Sequence, residues 1–261
     1  MFKLYHYPLS TCSQKVRLVL EHKGLSFETQ QIDLLAGDQH DPEYVKLNPN
    51  HVVPTLVHDD RVFIESTLIN EYLNDAFPAP AMLPDSAAER HAVRLWNKHL
   101  DDRVHPATGV LTFSIGPRSI LINQPEEVRE AHINAIPDPV RRAARRSVLE
   151  HGVKAPEFAG AVSVMLGFFD LAEAALVEAE WLSGAEFGLA DAAVLPYVLR
   201  LDHLAMTPVL EARPNLLAWY HKVQALPAYE PAVIVWSPQP TLDLFAANGA
   251  AVWKDVEPLT R

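Results

Sequence analysis

Tyr5-His6-Tyr7-Pro8-Leu9-Ser10-Thr11-Cys12-Ser13-Gln14-Lys15-Val16-Arg17-Leu18-Val19-Leu20 reads as the end of a strand begun at Phe2, a turn broken by Pro8, and an amphipathic helix whose apolar residues are Val16, Leu18, Val19 and Leu20. The turn delivers Ser10, Thr11, Cys12 and Ser13 to the start of that helix. Unpaired backbone N–H groups and the positive end of the helix dipole favour an anion there, a thiolate included. Serine and threonine are also the preferred helix N-caps, and a lone cysteine commonly serves as a small buried hydrophobe. The four side chains therefore point to chemistry only in combination with segments further along the chain.

Working outward, the helix predicted over 12–23 is stopped by Gly24 as a C′ residue, and Phe27 to Leu34 reads as a second strand, parallel to the first through the helical crossover. Asp41-Pro42 has the form of an N-cap followed by a first-turn proline. The β-prone residues around Asp59-Asp60 predict a hairpin, Thr55 to His58 against Arg61 to Ile64, with a helix over 67–76 after it. Pro54 is compatible with a strand only at its opening.

A strand, a helix opened by Ser10-x-Cys12-Ser13, the segment Asn48-Pro49-x-x-x-Val53-Pro54-x-Leu56 and a helix opened by Glu65-Ser66, in that order, resemble the amino-terminal domain of the glutathione transferase superfamily over about residues 1–77. The resemblance implies an α/β, thioredoxin-like domain with glutathione as cosubstrate. Pro54 would be cis, turning the Val53 backbone toward the cysteinyl backbone of glutathione. Ser66 would receive the γ-glutamyl carboxylate at a helix start, and Glu65 the α-amino group. Gln39 and His40 match positions that often reach the glycyl carboxylate, and Thr11 is counted with the cosubstrate-binding residues, behind Ser10, Ser13 and Cys12 as the group facing the sulfur. The chain departs from the family pattern where many relatives have glycine and glutamine, at His51 and Val52. His51 either replaces a lost cosubstrate contact or sits at the surface. Ser10 lies where serine-type relatives carry the catalytic hydroxyl, and it ranks first. Ser13, which matches part of the β-etherase branch, and Cys12, placed as in maleylacetoacetate isomerases and reductive dehalogenases, come after it as catalytic candidates.

The proline-rich stretch over 78–90 reads as a linker, 91–236 as an all-helical domain completing the glutathione transferase fold, and 237–261 as a carboxy-terminal arm, packed or partly loose. A long amphipathic helix is expected over 87–104, disturbed by Pro106 and Gly109, and a central apolar helix over 161–180. Between them, 113–160 is interrupted by repeated prolines and carries Arg141, Arg142, Arg145 and Arg146 on one broad face, either solvated or an attractor for acidic substrates. His132 to Pro137 with this arginine-rich helix resembles the bacterial β-etherase branch over about 30 residues. Trp181 to Leu195 resembles the superfamily's folding signature, in which Asp191 is a structural capping-box acid; Gly188 stands where the Ser or Thr cap would be and gives up its side-chain bond.

At 261 residues, 49% hydrophobic and 21% charged, the chain has the make-up of a globular protein of two domains. A formal net charge of −11 argues against nucleic acid and anionic membranes as partners. One cysteine excludes an internal disulfide and suits a reducing cytoplasm, no secretory leader is evident, and no apolar run approaching a bilayer's thickness stands out. No metal is called for. Three functions remain open: glutathione transfer or thiolytic β-aryl ether cleavage on a hydrophobic or aromatic electrophile; isomerase or reductive dehalogenase chemistry through Cys12; and a non-enzymatic binding module. The electrophile side is expected from the helical domain, with His99, Arg103, His105 and Phe113 as candidates. A homodimer is what the resemblance implies.

Overall fold

β1 (Phe2–His6) buries Phe2, Leu4 and His6 and leaves the alternate residues half-buried, the period of two that a pleated strand imposes. In a computed structural model, which describes residues 1–260, it lies between β2 (Phe27–Gln31), to which it is parallel, and β3 (Thr55–His58), to which it is antiparallel; β4 (Arg61–Ile64) forms the edge, giving the order β2-β1-β3-β4. The hairpin has the expected bounds. β2 is shorter than the 27–34 predicted, because Asp33 turns the chain by accepting from the backbone N–H of Leu35 at 2.9 Å and of Ala36 at 3.2 Å.

α1 (Thr11–His22) begins one residue before the expected start, with Ser10 as its N-cap. It ends in a Schellman arrangement: Gly24 has φ +64°, its N–H donates to Glu21 O, and that of Leu25 to Leu20 O. α2 (Pro42–Leu47) is capped by Asp41, which accepts from Glu43 N at 2.7 Å. α3 (Ser66–Ala76) packs beside α1, and Asn70 Nδ2 donates to Lys15 O at 3.4 Å. Each of those residues is the fifth of its helix, so the bond joins the second turns of the two helices.

After Ala76 no helix or strand occurs until α4 (Ala87–His99). The helix expected over 87–104 does not stop at Pro106. A π turn, Leu100–Val104, precedes α5 (His105–Ile115), and His105 N donates to Leu100 O. Pro106 has no N–H to give, and the wider turn accommodates the missing bond. α6 (Arg118–Leu121), α7 (Glu126–Asn134) and α8 (Pro139–His151) fill the proline-interrupted region, followed by α9 (Pro156–Glu178), α10 (Leu189–His203), α11 (Thr207–Glu211), α12 (Pro214–Gln224), α13 (Tyr229–Ala232) and α14 (Gln239–Val256). The arm expected over 237–261 is thus mostly helix: Asn248 Nδ2 donates to Ile115 O and Ser119 Oγ at 2.9 Å, and a Cβ on Gly249 would strike the Leu204 carbonyl.

The described residues form two compact units, one of 1–97, 176–196 and 218–238, the other of 98–175, 197–217 and 239 onward. α9 corrects the reading that no apolar run is long enough to span a bilayer, since within its 23 residues an 18-residue stretch reaches a mean hydropathy of 1.7. Polar side chains nevertheless tie it into the second unit. Asp170 pairs with Arg213 at 2.6 Å, and Glu173 accepts from Asn215 Nδ2 at 2.7 Å and from Leu216 N at 2.8 Å.

The arginine face of α8 is largely engaged. Arg146 pairs with Glu130, Arg142 donates to Ile136 O and Pro137 O, and Arg145 lies 3.9 Å over the Phe113 ring, where burial lowers its pKa to about 10. Phe113 itself is core, His99 is half-buried edge-on to Phe168, and Arg103 and His105 are exposed.

Candidate active site at one end of the sheet

Strand register decides which loops meet. His6 pairs with Gln31, Tyr5 with Thr55, and Thr55 with Ile64. The chain leaving β1 toward Ser10, the chain leaving β2 toward Gln39 and His40, the chain entering β3 through His51, Val53 and Pro54, and the chain leaving β4 through Glu65 and Ser66 therefore all lie at one end of the sheet.

At the head of α1, the Ser10 hydroxyl is half-buried and accepts from Ser13 N at 3.2 Å. Capping uses a lone pair of the oxygen and does not consume its O–H donor. Ser13 is fully buried, with Oγ accepting from Tyr7 N at 3.4 Å, and Thr11 is buried as well. Cys12, half-buried, joins Ser10 as the reactive side chains of this turn that keep exposed surface.

The Val53–Pro54 bond is cis. Two buried side chains hold the loop before it: Tyr44 OH donates to Val52 O at 2.7 Å, and Asn48 Nδ2 donates to Val52 O at 2.9 Å and to Thr55 Oγ1 at 3.1 Å. Burial pushes the Tyr44 phenol up, against the hydrogen bonds to Thr55 and Asn48. Sequence reasoning does not single out Tyr44, and Asn48 enters it only as the start of a motif. Their shared role shows in the fold, where both reach the same carbonyl.

α3 is built unlike α1 and α2. Its N-cap, Glu65, stands at φ +68° and supplies no side-chain cap. A non-glycine residue in that region is strained, a feature that clusters at functional sites. The first N–H groups of α3 thus remain open for an anion. Ser66 is the first residue of the helix, and Thr67 Oγ1 is buried without a partner. Asn50 Nδ2 donates to Glu65 Oε1 at 3.1 Å, tying the loop before Pro54 to the head of α3.

Gln39, His40 and His51 come together: Gln39 Nε2 lies 3.1 Å from His40 Nε2, and His40 Nδ1 lies 3.1 Å from His51 Nδ1. His51 is half-buried at φ +55°, so it joins this group rather than the open surface. Burial and the neighbouring His51 hold His40 below the ordinary imidazole range. No group of three or more His, Cys, Asp or Glu side chains able to hold a metal ion occurs among the described residues.

Away from the sheet end, Asp191 is fully buried and accepts four bonds. Oδ1 takes Leu182 N at 2.8 Å and Trp219 Nε1 at 2.8 Å, and Oδ2 takes Ser183 N and Gly188 N at 3.1 Å. Burial pushes its carboxyl up while these donors stabilise the charged form. The cap bond expected to be missing at Gly188 is supplied by Ser183, whose Oγ accepts from Ala190 N at 3.0 Å. A Cβ at residue 188 would lie 2.6 Å from both Met82 O and Ser183 Cβ, which explains the glycine.

Comparison with known proteins gives the same outline. Family models described as the N-terminal and C-terminal domains of glutathione S-transferase match residues 4–81 and 142–222. The chain is 30% identical over 240 residues to a tetrachloro-p-hydroquinone reductive dehalogenase of Sphingobium chlorophenolicum, covering 89% of this chain and 95% of that one. It is 30% identical over 236 residues to glutathione S-transferase 3 of Zea mays, covering 88% and 92%. Among solved structures it resembles the β-etherase LigF of Sphingobium sp. strain SYK-6, with a TM-score of 0.80 and 27% identity over 88% of this chain and 98% of that one.

Proposed function

We infer the reaction from this premise: the chain belongs to the glutathione S-transferase family. It is a glutathione-dependent enzyme that brings the cosubstrate thiol to an electrophilic substrate. The observation that carries this reading is the meeting, at one sheet end, of an uncapped and strained α3 start, a cis Val53–Pro54 bond and the hydroxyl-capped start of α1. The residues present fit a peptide thiol. Open N–H groups at Ser66 and the orphaned Thr67 Oγ1 suit the γ-glutamyl carboxylate, and Glu65 the α-amino group. Val53 offers a backbone edge, and Gln39, His40 and His51 suit the glycyl carboxylate.

Glutathione, when bound, supplies the sulfur nucleophile. Ser10 donates its hydroxyl proton to that sulfur as a hydrogen bond, and the start of α1 adds its dipole; together they favour the thiolate. A hydroxyl bond to a charged acceptor is worth about 1.5 to 3 kcal/mol, one to two units of thiol pKa at about 1.4 kcal/mol each. One serine is thus sufficient. Ser13 is assigned a structural part by its burial, and Thr11 supports the turn.

The electrophile is hydrophobic or aromatic, as the names of the relatives suggest: one is a dehalogenase of a chlorinated hydroquinone, another a β-etherase. Thiolate attack needs no cysteine, whereas reductive dehalogenation through a mixed disulfide would need Cys12. Replacing Cys12 by Ser is expected to leave turnover of an aryl ether or aryl halide within about twofold; a loss of two orders of magnitude would move the assignment to the cysteine-dependent chemistry.

We place the sheet-bearing domain at 1–77, the linker at 78–90, the helical domain at 91–236 and the carboxy-terminal arm at 237–261, and assign the enzyme to the cytoplasm, in detoxification or degradation of aromatic compounds. A second copy of the chain would cover exposed Val62 on edge strand β4, Leu68 on α3 and Leu95 on α4, which leave 43%, 63% and 55% of their surface exposed. Sedimentation at micromolar concentration is expected to give twice the 29.1 kDa chain mass, and a Leu68→Glu, Leu95→Glu double variant the single mass. A monomeric wild type would exclude this assembly.

A further inference from the structure

Behind the turn that carries Ser10 lies a buried cation. Arg17, on the second turn of α1, is fully buried. Its Nε donates to Ala232 O at 2.7 Å, Nη2 donates to Pro8 O at 2.8 Å, and Nη1 lies 2.9 Å from His6 Nδ1. The guanidinium also lies 5.6 Å from the centre of the Trp236 ring, which meets His6 edge to face at 4.6 Å.

These partners hold no negative charge. A guanidinium only donates, so His6 Nδ1 accepts and its proton is on Nε2, a buried atom without a partner. Burial, with Arg17 beside it, lowers the His6 pKa to about 3, so the ring is neutral. Burial also lowers Arg17 to about 9, which leaves it charged at neutral pH. No carboxylate answers it. Burial is the one cause of its lowered pKa, with no carboxylate from α1 or from the helices packed on it, Glu21 on α1 and Glu230 on α13 included, contributing to it. A buried charge without a counter-ion is costly to keep unless something uses it.

We propose that Arg17 is a positioning residue whose buried charge acts as the counter-ion of the cosubstrate thiolate, while its bond to Pro8 O fixes the turn that presents Ser10. This rests on the reading that glutathione binds with its sulfur at Ser10. Pro8 precedes Ser10 by two residues, so chain length alone keeps the guanidinium within about 12 Å of the hydroxyl. At that distance a unit charge in an effective dielectric of about 20 shifts a thiol by about one pKa unit, a tenfold change in thiolate fraction. The protein as a whole is strongly acidic, which makes a local cation at this place the more consequential.

The test is an ultraviolet difference titration of the enzyme-bound thiol, with calorimetric affinity for S-methylglutathione, which has no ionisable thiol, as control. Arg17→Gln and Arg17→Met are expected to raise the bound thiol pKa by about one unit and to lower kcat about tenfold at neutral pH, regained at alkaline pH. Arg17→Lys should stay near wild type, and S-methylglutathione affinity should change less than about threefold in all of them. Trp236 is half-buried and serves as a second route if the neutral Arg17 variants do not fold. Trp236→Glu, which brings a carboxylate to the guanidinium, should raise the thiol pKa where Trp236→Gln does not. An unchanged pKa in the neutral Arg17 variants, or equal effects of Glu and Gln at 236, would overturn the proposal. A wild type that gives neither thiolate absorbance nor heat with glutathione would instead remove the binding reading on which it rests.

Discussion

Replacing Ser10 by alanine is expected to lower kcat/KM about a hundredfold at neutral pH and to raise the bound thiol pKa by one to two units, while glutathione affinity changes little. The separation is a consequence of geometry. The groups suited to the ends of the tripeptide stand at the start of α3 and in the Gln39, His40 and His51 group, and Ser10, at the start of α1, is the hydroxyl proposed for the sulfur. Because thiolate formation is what the variant loses, its activity recovers as pH rises past the raised pKa, whereas a loss of binding would persist at every pH. Stability also falls, since Ser10 Oγ caps α1 by accepting from Ser13 N. That loss is about 1 kcal/mol, or about 3 °C in Tm for a chain of this size. Ser10→Thr keeps both the acceptor and the donor and retains most of the rate. Stopped-flow rates over a pH series, read with the difference spectrum of the bound thiol, check the outcome. An alanine variant with unchanged pKa would take Ser10 out of the mechanism.

The second large effect falls on folding. Asp191→Ala strands four buried donors, the N–H groups of Leu182, Ser183 and Gly188 and the Trp219 indole. Each buried donor left without a partner costs about 1 to 3 kcal/mol, so a loss of about 4 kcal/mol or more is expected from a total stability of about 5 to 15. The near-isosteric Asp191→Asn should recover little. Both carboxylate oxygens accept two bonds, and an amide turns two acceptor sites into N–H groups facing N–H groups. Denaturant titration of the three proteins reads this directly. A loss under about 1 kcal/mol in Asp191→Ala would show that water takes over the role of the carboxylate.

These residues also show what is legible in the chain itself. Ser10, Gly24, Asp41 and the hairpin around Asp59-Asp60 act through neighbours a few residues away, so their spacing carries the signal, and the elements come out within a few residues of the expected bounds. The cis Val53–Pro54 bond and the open start at Glu65-Ser66 are legible through a motif whose parts are separated but ordered. Arg17 is not, because its carbonyl partner lies 215 residues away, at Ala232. Gly188 misleads for a related reason: the hydroxyl that caps α10 comes from Ser183, outside the position where a cap is sought. The π turn before Pro106 escapes notice because a proline in a helical pattern signals an end, and the alternative, a widened turn, leaves no mark in hydrophobic periodicity. The arginines of α8 form a conspicuous charge pattern, yet their partners at Glu130, Ile136, Pro137 and Phe113 disperse it.

Among the four side chains that open α1, Ser10 is the one assigned to the sulfur. A crystal structure with reduced glutathione tests this most directly. The predicted result is a peptide lying along Val53 with its γ-glutamyl carboxylate at the N–H groups of Ser66 and Thr67 and its sulfur within about 3.5 Å of Ser10 Oγ. A sulfur seated against Cys12 or Ser13, or a peptide bound elsewhere than at this end of the sheet, would contradict it.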